Sequence, residues 1–200
     1  MIGGLFYAFV ITVVRIAMFF WHPIFHVKGR ENIPRDGRLM ICCNHSGMAD
    51  PIWLIIAMRL GHIPRIMAKK EVLDVPVLGW FLNKIGIIGV DRGGNDVKAI
   101  KTGLRALQDD QQMMVFPEGT RVKNGQKVEP KRGALLMAQR TNTPILPVYL
   151  TVKRHPFSPL TCIFGEPYYL NHDGKKMTDE ELEQETKQLM EKIYALGDAQ

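Results

Sequence analysis

Apolar positions along this chain fall into short blocks whose period changes repeatedly. The run "RLMICC" (38–43) has the length of a buried strand, and "IWLIIAMRLG" (52–61) is of helical length and stops at Gly61. "PRIMAKK" (64–70) predicts a second strand, "PVLGWFLNKIG" (76–86) a helix with proline near its start, and "IIGVDR" (87–92) a third strand. In "NDVKAIKTGLRALQDD" (95–110), Val97, Ile100, Leu104 and Leu107 share one helical face. "QMMVF" (112–116) predicts a fourth strand, "KRGALLMAQRTN" (131–142) a helix and "PILPVYLTV" (144–152) a fifth strand. "TCIFGEPYYL" (161–170) adds one or two short strands. The tail opens on the capping box "TDEE" (178–181) and carries Leu182, Leu189, Ile193 and Leu196 as a stripe. Strands alternating with helices at this spacing predict an α/β domain with a mostly parallel sheet flanked by helices. Segments 91–95 and 119–131 read as loops.

The N-terminal block differs from the rest. "MIGGLFYAFVITVVRIAMFFW" is apolar throughout except for Arg15. A spanning helix needs about 20 residues, so this stretch is just long enough. It lacks a basic start and a small-residue cleavage site, which argues against a removed signal peptide. Residues 1–21 are expected to form a membrane-associated helix, either spanning or lying in one leaflet. His22, His26, Lys28 and Arg30 follow it, so the positive-inside rule puts the remainder on the cytoplasmic side of the cell membrane. Residues 22–177 would then be one domain, and 178–200 an amphipathic helix packed on it.

Charge sharpens this picture. The net charge is +6, but the chain from Thr178 onward holds seven acids and two bases, so residues 1–177 carry 24 bases against 13 acids. A basic body suits a phosphate-bearing partner. Aromatics are 8% and not interleaved with basic runs, which gives nucleic acid no specific support. Three cysteines, two of them adjacent at 42 and 43, make a poor disulfide set.

His45 follows the first strand, Lys69 ends the second, Arg92 follows the third, and Glu118 and Arg121 follow the fourth. In a parallel sheet these positions line the carboxyl edge, where open α/β folds bind ligands. In "NHSGMADP" (44–51), a five-residue step does not put His45 and Asp50 on one helical face, so they meet only across a turn, for which Ser46-Gly47 is suited. Asp50-Pro51 also reads as a helix start with aspartate at the N-cap. The two roles are compatible: a fixed carboxylate can orient an imidazole as a general base. In "FPEGTR" (116–121), the glycine admits close backbone approach, and Arg121 offers a bidentate fork for phosphate; a plain surface turn is the alternative. Lys69-Lys70 is either added charge for that site or a solvated pair. Nucleotide-binding glycine loops and the G-x-S-x-G elbow are absent, and the histidines are too scattered for a metal set, so no metal is expected. A buried Cys42 or Cys43 would be a poor nucleophile.

Four segments in order resemble the glycerolipid acyltransferase family. N-H-x4-D is "NHSGMAD" (44–50), "GIIGVDR" (86–92) resembles the second block, F-P-E-G-T-R is unaltered at 116–121, and "PILPV" (144–148) resembles the apolar fourth block. "AKKEV" (68–72) adds a further similarity, with Val72 for leucine; Gly89 stands where an aromatic is common. The resemblance spans residues 25–170. It implies acyl transfer from a thioester of acyl carrier protein or coenzyme A to a glycerolipid hydroxyl, foremost the sn-2 hydroxyl of lysophosphatidic acid. Another lysophospholipid or glycerol 3-phosphate is the alternative acceptor. It implies His45 as base, oriented by Asp50. Arg121, Arg92 and Lys69 would bind the acceptor phosphate, with Glu118, Gly119 and Thr120 shaping that subsite, and Pro147 would line an acyl groove. The thioester would be a co-substrate, and no separate cofactor is expected. A membrane-tethered module that binds anionic lipid without chemistry would explain the charge and the N-terminus but not the His-x4-Asp turn.

Overall fold

In a computed structural model, residues 4–91, 96–122, 128–152, 155, 157–170 and 176–198 are described, with the backbone alone for 4–10. Seven strands form one sheet: β1 (Phe25–Lys28), β2 (Leu39–Cys43), β3 (Arg65–Lys69), β4 (Ile88–Val90), β5 (Gln112–Val115), β6 (Ile145–Leu150) and β7 (Leu160–Phe164). Their order is β1-β7-β6-β2-β5-β3-β4. Among the described residues only the β6–β7 pair is antiparallel. The expected α/β architecture with a mostly parallel, helix-flanked sheet is therefore present.

The centre of the sheet is covered on both faces, which is why β2 and β5 read as unbroken apolar runs. Alternate residues of β2 divide between two cores. Met40 and Cys42 join Met113, Val115 and Ile145 under α4 (Val97–Gln108), α5 (Gly133–Thr141) and α6 (Asp179–Asp198). Leu39, Ile41 and Cys43 join Met114, Leu146 and Val148 under α1 (Gly4–Trp21) and α2 (Asp50–Met58). The capping box forms as the sequence requires: the Thr178 amide donates to Glu181 Oε2, and the Glu181 amide to Thr178 Oγ1. Leu182, Leu189 and Ile193 are buried, and α6 lies along β6.

Several expectations are corrected. The strand β1 was not foreseen, because a four-residue edge strand, Phe-His-Val-Lys, alternates too briefly to register. The second helix begins at Asp50 and stops at Met58, where Arg59 takes a left-handed backbone (φ 52), ahead of Gly61. The buried face of α4 is Ala99, Gly103, Ala106 and Leu107, while Val97 is exposed. Small residues let this helix approach closely. A Cβ on Gly103 would sit 2.5 Å from Met137 Sδ; Leu107 of the expected face is buried and Ile100 and Leu104 pack partly buried beside it, so only Val97 departs. Pro147 occurs inside a central strand, where its missing N–H would ordinarily cost a rung. It stands beside Gly165, just past the end of β7, whose amide donates to the Pro147 carbonyl at 2.9 Å.

The helix α1 has 18 residues. Met18 is buried and Val14 packs against the core, while Val13, Ile16, Phe19, Phe20 and Trp21 are exposed. Among the described residues no helix is long and apolar enough to cross a membrane.

Candidate active site

The parallel strands bring the expected residues to one edge. β2, β5, β3 and β4 run the same way, so His45, Glu118, Arg121 and Lys69 all lie at or just beyond carboxyl ends. Arg92 lies outside the described residues. The chain leaves β2 through Asn44, which is buried and whose role the sequence did not disclose. Its Nδ2 donates to the Leu150 carbonyl and its Oδ1 accepts the Leu150 amide, both at 2.8 Å. The side-chain amide thus imitates one more ladder rung to β6 and fixes where the next residue emerges.

That residue is His45. Its Nδ1 lies 2.8 Å from Asp50 Oδ2, and its side chain is 14% exposed. The imidazole stacks on Phe116, centroids 4.3 Å apart at 26°. Asp50 is fully buried. It is not an N-cap: it is the first residue of α2, and its carboxylate turns back toward the preceding loop. Oδ2 accepts the amides of Ser46 (2.7 Å) and Gly47 (2.8 Å) as well as the imidazole. Three donors offset the cost of burying the charge, and an ionised carboxylate can only accept, so the proton sits on Nδ1 and the lone pair on Nε2. A neutral imidazole in that tautomer can accept a proton on Nε2.

The loop after β5 grips the same residue from the other side. Glu118 is 4% exposed and accepts the His45 amide on Oε2 at 2.6 Å. The Val122 amide donates to the His45 carbonyl at 2.8 Å. Both polar groups of the His45 backbone are therefore held by the segment that contains Arg121. Glu118 Oε1 accepts the Tyr194 hydroxyl of α6 at 2.5 Å. Burial pushes the Glu118 carboxyl above the usual carboxylate range, against the pull of Tyr194 and the His45 amide. Its two oxygens are engaged by protein donors, which makes it a brace for the histidine loop in this structure. Gly119 has φ 66 and turns the loop through its amide, which donates to the Phe116 carbonyl at 2.9 Å. Thr120 and Arg121 are exposed beyond it.

Other expected residues are placed differently. The Lys69 ammonium is 3.0 Å from Glu71 Oε1 on its own loop. Asp91, just past the end of β4, pairs with Lys70. Cys42 and Cys43 are both buried, and burial pushes the Cys42 thiol up to about 12, so it is inert as a nucleophile. Pro147 lines a cavity of about 610 Å³ with Lys28, Ile163, Tyr168, Lys192 and Leu196. His45, Glu118 and Arg121 are not among its walls. Among the described residues no cluster of His, Cys, Asp or Glu could hold a metal.

The same edge is rimmed by exposed apolar side chains. β1 and β7 run opposite to β6, so their starts share the carboxyl edge, and there Trp21, Ile24 and Phe157 are exposed. Met48, within the His45–Asp50 turn, is 81% exposed. Past β3, Val75, Val77, Leu78 and Trp80 are exposed, with Val77 at φ 63 and the Lys84 ammonium 4.8 Å from the Trp80 ring centroid.

Replacement of Asn44 by alanine leaves the Leu150 amide and carbonyl buried without partners. Unfolding in urea should show a loss of about 2–4 kcal/mol; a change under about 0.5 kcal/mol would mean the β2–β6 junction does not rely on it.

Comparison with known proteins follows this geometry. The Acyltransferase family model matches residues 24–151, which includes the His45–Asp50 turn and the Glu118 loop. A 1-acyl-sn-glycerol-3-phosphate acyltransferase of Bacillus subtilis is 36% identical over 124 residues, 60% of this chain and 59% of the relative. One of Borreliella burgdorferi is 35% identical over 130 residues, 62% of this chain and 50% of the relative. The chain thus spans between half and three fifths of the length of these two relatives. The crystal structure of a 1-acyl-sn-glycerophosphate acyltransferase from Thermotoga maritima superposes with a TM-score of 0.70 at 23% identity, covering 96% of this chain and 80% of that one, and so shares the fold. With more than half of its length matched by the family model, including the segment that builds the imidazole–carboxylate pair, this chain belongs to the Acyltransferase family.

Proposed function

We propose that this protein moves an acyl group from a thioester to the sn-2 hydroxyl of lysophosphatidic acid, producing phosphatidic acid. The observation that carries this reading is the His45 Nδ1–Asp50 Oδ2 contact, which leaves Nε2 as a base at the carboxyl edge. The names of the relatives support the acceptor. In the reaction, Nε2 removes the proton of the acceptor hydroxyl as its oxygen attacks the thioester carbonyl. Asp50 steadies the imidazolium. The tetrahedral intermediate collapses with loss of the thiolate, which takes the proton back from His45. No acyl-enzyme is required, in keeping with the buried cysteines. Arg121, one residue from the Val122 amide that holds His45, is the described cation best placed for the acceptor phosphate. Arg92 and Lys69 would join it, Lys69 by exchanging Glu71 for phosphate. Thr120 flanks Arg121 in the same subsite. Pro147 is offered as part of the acyl groove through its strand β6, and not through the cavity it lines, whose walls do not include His45. The thioester, on acyl carrier protein or coenzyme A, is the co-substrate.

The rim of exposed apolar side chains supports a membrane partner. An amphipathic acceptor lies in the bilayer, and an edge presenting Phe20, Trp21, Met48, Val77 and Trp80 would sit in the interface with the site facing the lipid. The attachment is to the cell membrane, with the domain on the cytoplasmic side.

Three outcomes test this. The purified protein should turn over lysophosphatidic acid with acyl carrier protein or coenzyme A thioesters, compared side by side, and His45→Ala should lose ~10²–10⁴-fold or more in kcat. Undiminished turnover would remove the base assignment. Arg121→Ala should raise the KM for the acceptor about tenfold or more while sparing that for the donor; equal effects on both would exclude a phosphate role. Val77→Asp with Leu78→Asp should weaken sedimentation with anionic phospholipid vesicles several-fold at unchanged thermal midpoint. Unaltered partitioning would show that the β3–α3 segment, ahead of α3 (Leu78–Lys84), does not touch lipid.

A further inference from the structure

The contact between Glu118 and α6 has no part in the reaction as written, yet it ends at the base. The His45 amide donates to Glu118 Oε2 at 2.6 Å, and the Tyr194 hydroxyl donates to Glu118 Oε1 at 2.5 Å. Tyr194 lies 76 residues from Glu118 in sequence and outside the family segment at 24–151. It is partly buried against the core cluster that includes Leu189, Met190 and Ile193 of the same helix. We propose that Tyr194 is a positioning residue for the base: its hydroxyl holds the Glu118 carboxylate against the His45 amide, and through that link the C-terminal helix sets the height of the imidazole above the sheet edge. This rests on the assignment of His45 as base.

Asp50 Oδ2 fixes the ring of His45, but a ring held by one hydrogen bond still moves with its backbone. The Val122 amide and Glu118 Oε2 fix the backbone. The Glu118 carboxylate is buried and holds the His45 amide with one oxygen and the Tyr194 hydroxyl with the other. Tyr194 is the partner that comes from another layer of the fold. Burial and the adjacent carboxylate push the Tyr194 hydroxyl upward, so it stays a donor across the working range. The groups facing Glu118 are His45 and Asp50 from the β2–α2 turn and Tyr194 from α6. Cys43 and Tyr149 stand near Tyr194, and the Lys131 stem lies against Gly119. Burial raises the Glu118 carboxyl and Tyr194 lowers it. Losing the hydroxyl lets it rise further, so protonation of Glu118 on acidification begins at a higher pH.

Tyr194→Phe keeps the ring and removes the link. Its kcat should fall about tenfold, with both KM values within about twofold of wild type and the acidic limb of the kcat profile moved to higher pH. In a Glu118→Gln background the charge-assisted bond is already gone, so the same change should cost under about threefold and leave the limb where it was. Turnover is read per folded protein by circular dichroism. A wild-type kcat in Tyr194→Phe, an equal loss in the Glu118→Gln background, or a loss expressed in KM alone would overturn the proposal. His45→Ala, assayed alongside, separates the cases. An active His45→Ala refutes the base assignment, whereas an inactive one beside an unaffected Tyr194→Phe refutes the Tyr194 link alone.

Discussion

One carboxylate oxygen organises this site. Asp50 Oδ2 draws in the amides of Ser46 and Gly47 and the imidazole of His45, and all three donors precede it in the chain. A buried negative charge needs such donors to be tolerated, and a short turn that directs two backbone amides inward supplies them. The turn folds around the charge, and the imidazole becomes its third ligand. Orientation of the imidazole is thus a by-product of satisfying a buried aspartate. The helix that follows can start where it does because the loop, and not its own first amides, takes the carboxylate.

A second constraint comes from strand order. β2 lies between β6 and β5, so the loop leaving it is touched from both sides. On the β6 side, Asn44 bonds both backbone groups of Leu150. On the β5 side, Glu118 and Val122 bond both backbone groups of His45. Two consecutive residues are therefore held by four hydrogen bonds from two different strands' ends. Precision of this kind is what a proton transfer needs, since small displacements of a base cost rate steeply. The polar contacts of a turn and the packing of a sheet are here the same set of contacts.

The placement of polar and apolar surface follows from the same topology. Reversal of β1 and β7 brings the end of α1 to the edge where the imidazole stands. Apolar side chains around a polar cleft cost little if that edge meets a bilayer, and they would be a liability facing water. Arg121 and Thr120 are exposed just past β5, at the same edge. The acidic α6 lies on the other core, with Glu118 and Tyr194 joining the two.

Much of this was legible in the sequence. Continuous apolar runs of strand length, alternating with helical ones, determined a parallel α/β sheet, because strands covered on both faces have no polar side to show. The rule that ligands meet the carboxyl edge then put His45, Glu118 and Arg121 together before any coordinate. Local physics did not reach further. The period of α4 found Ile100, Leu104 and Leu107, which pack, but not the close approach of Gly103 to Met137 and Met113, since that depends on the absence of a side chain. Asp50-Pro51 reads as a cap because caps are local, whereas its actual partners are chosen by a turn that must bury the charge. The partners of Asn44, the brace role of Glu118 and the reach of Tyr194 were decided by tertiary structure alone. Each joins residues 73 or more apart, and a hydrogen bond across that separation leaves no period, spacing or composition in the chain to read.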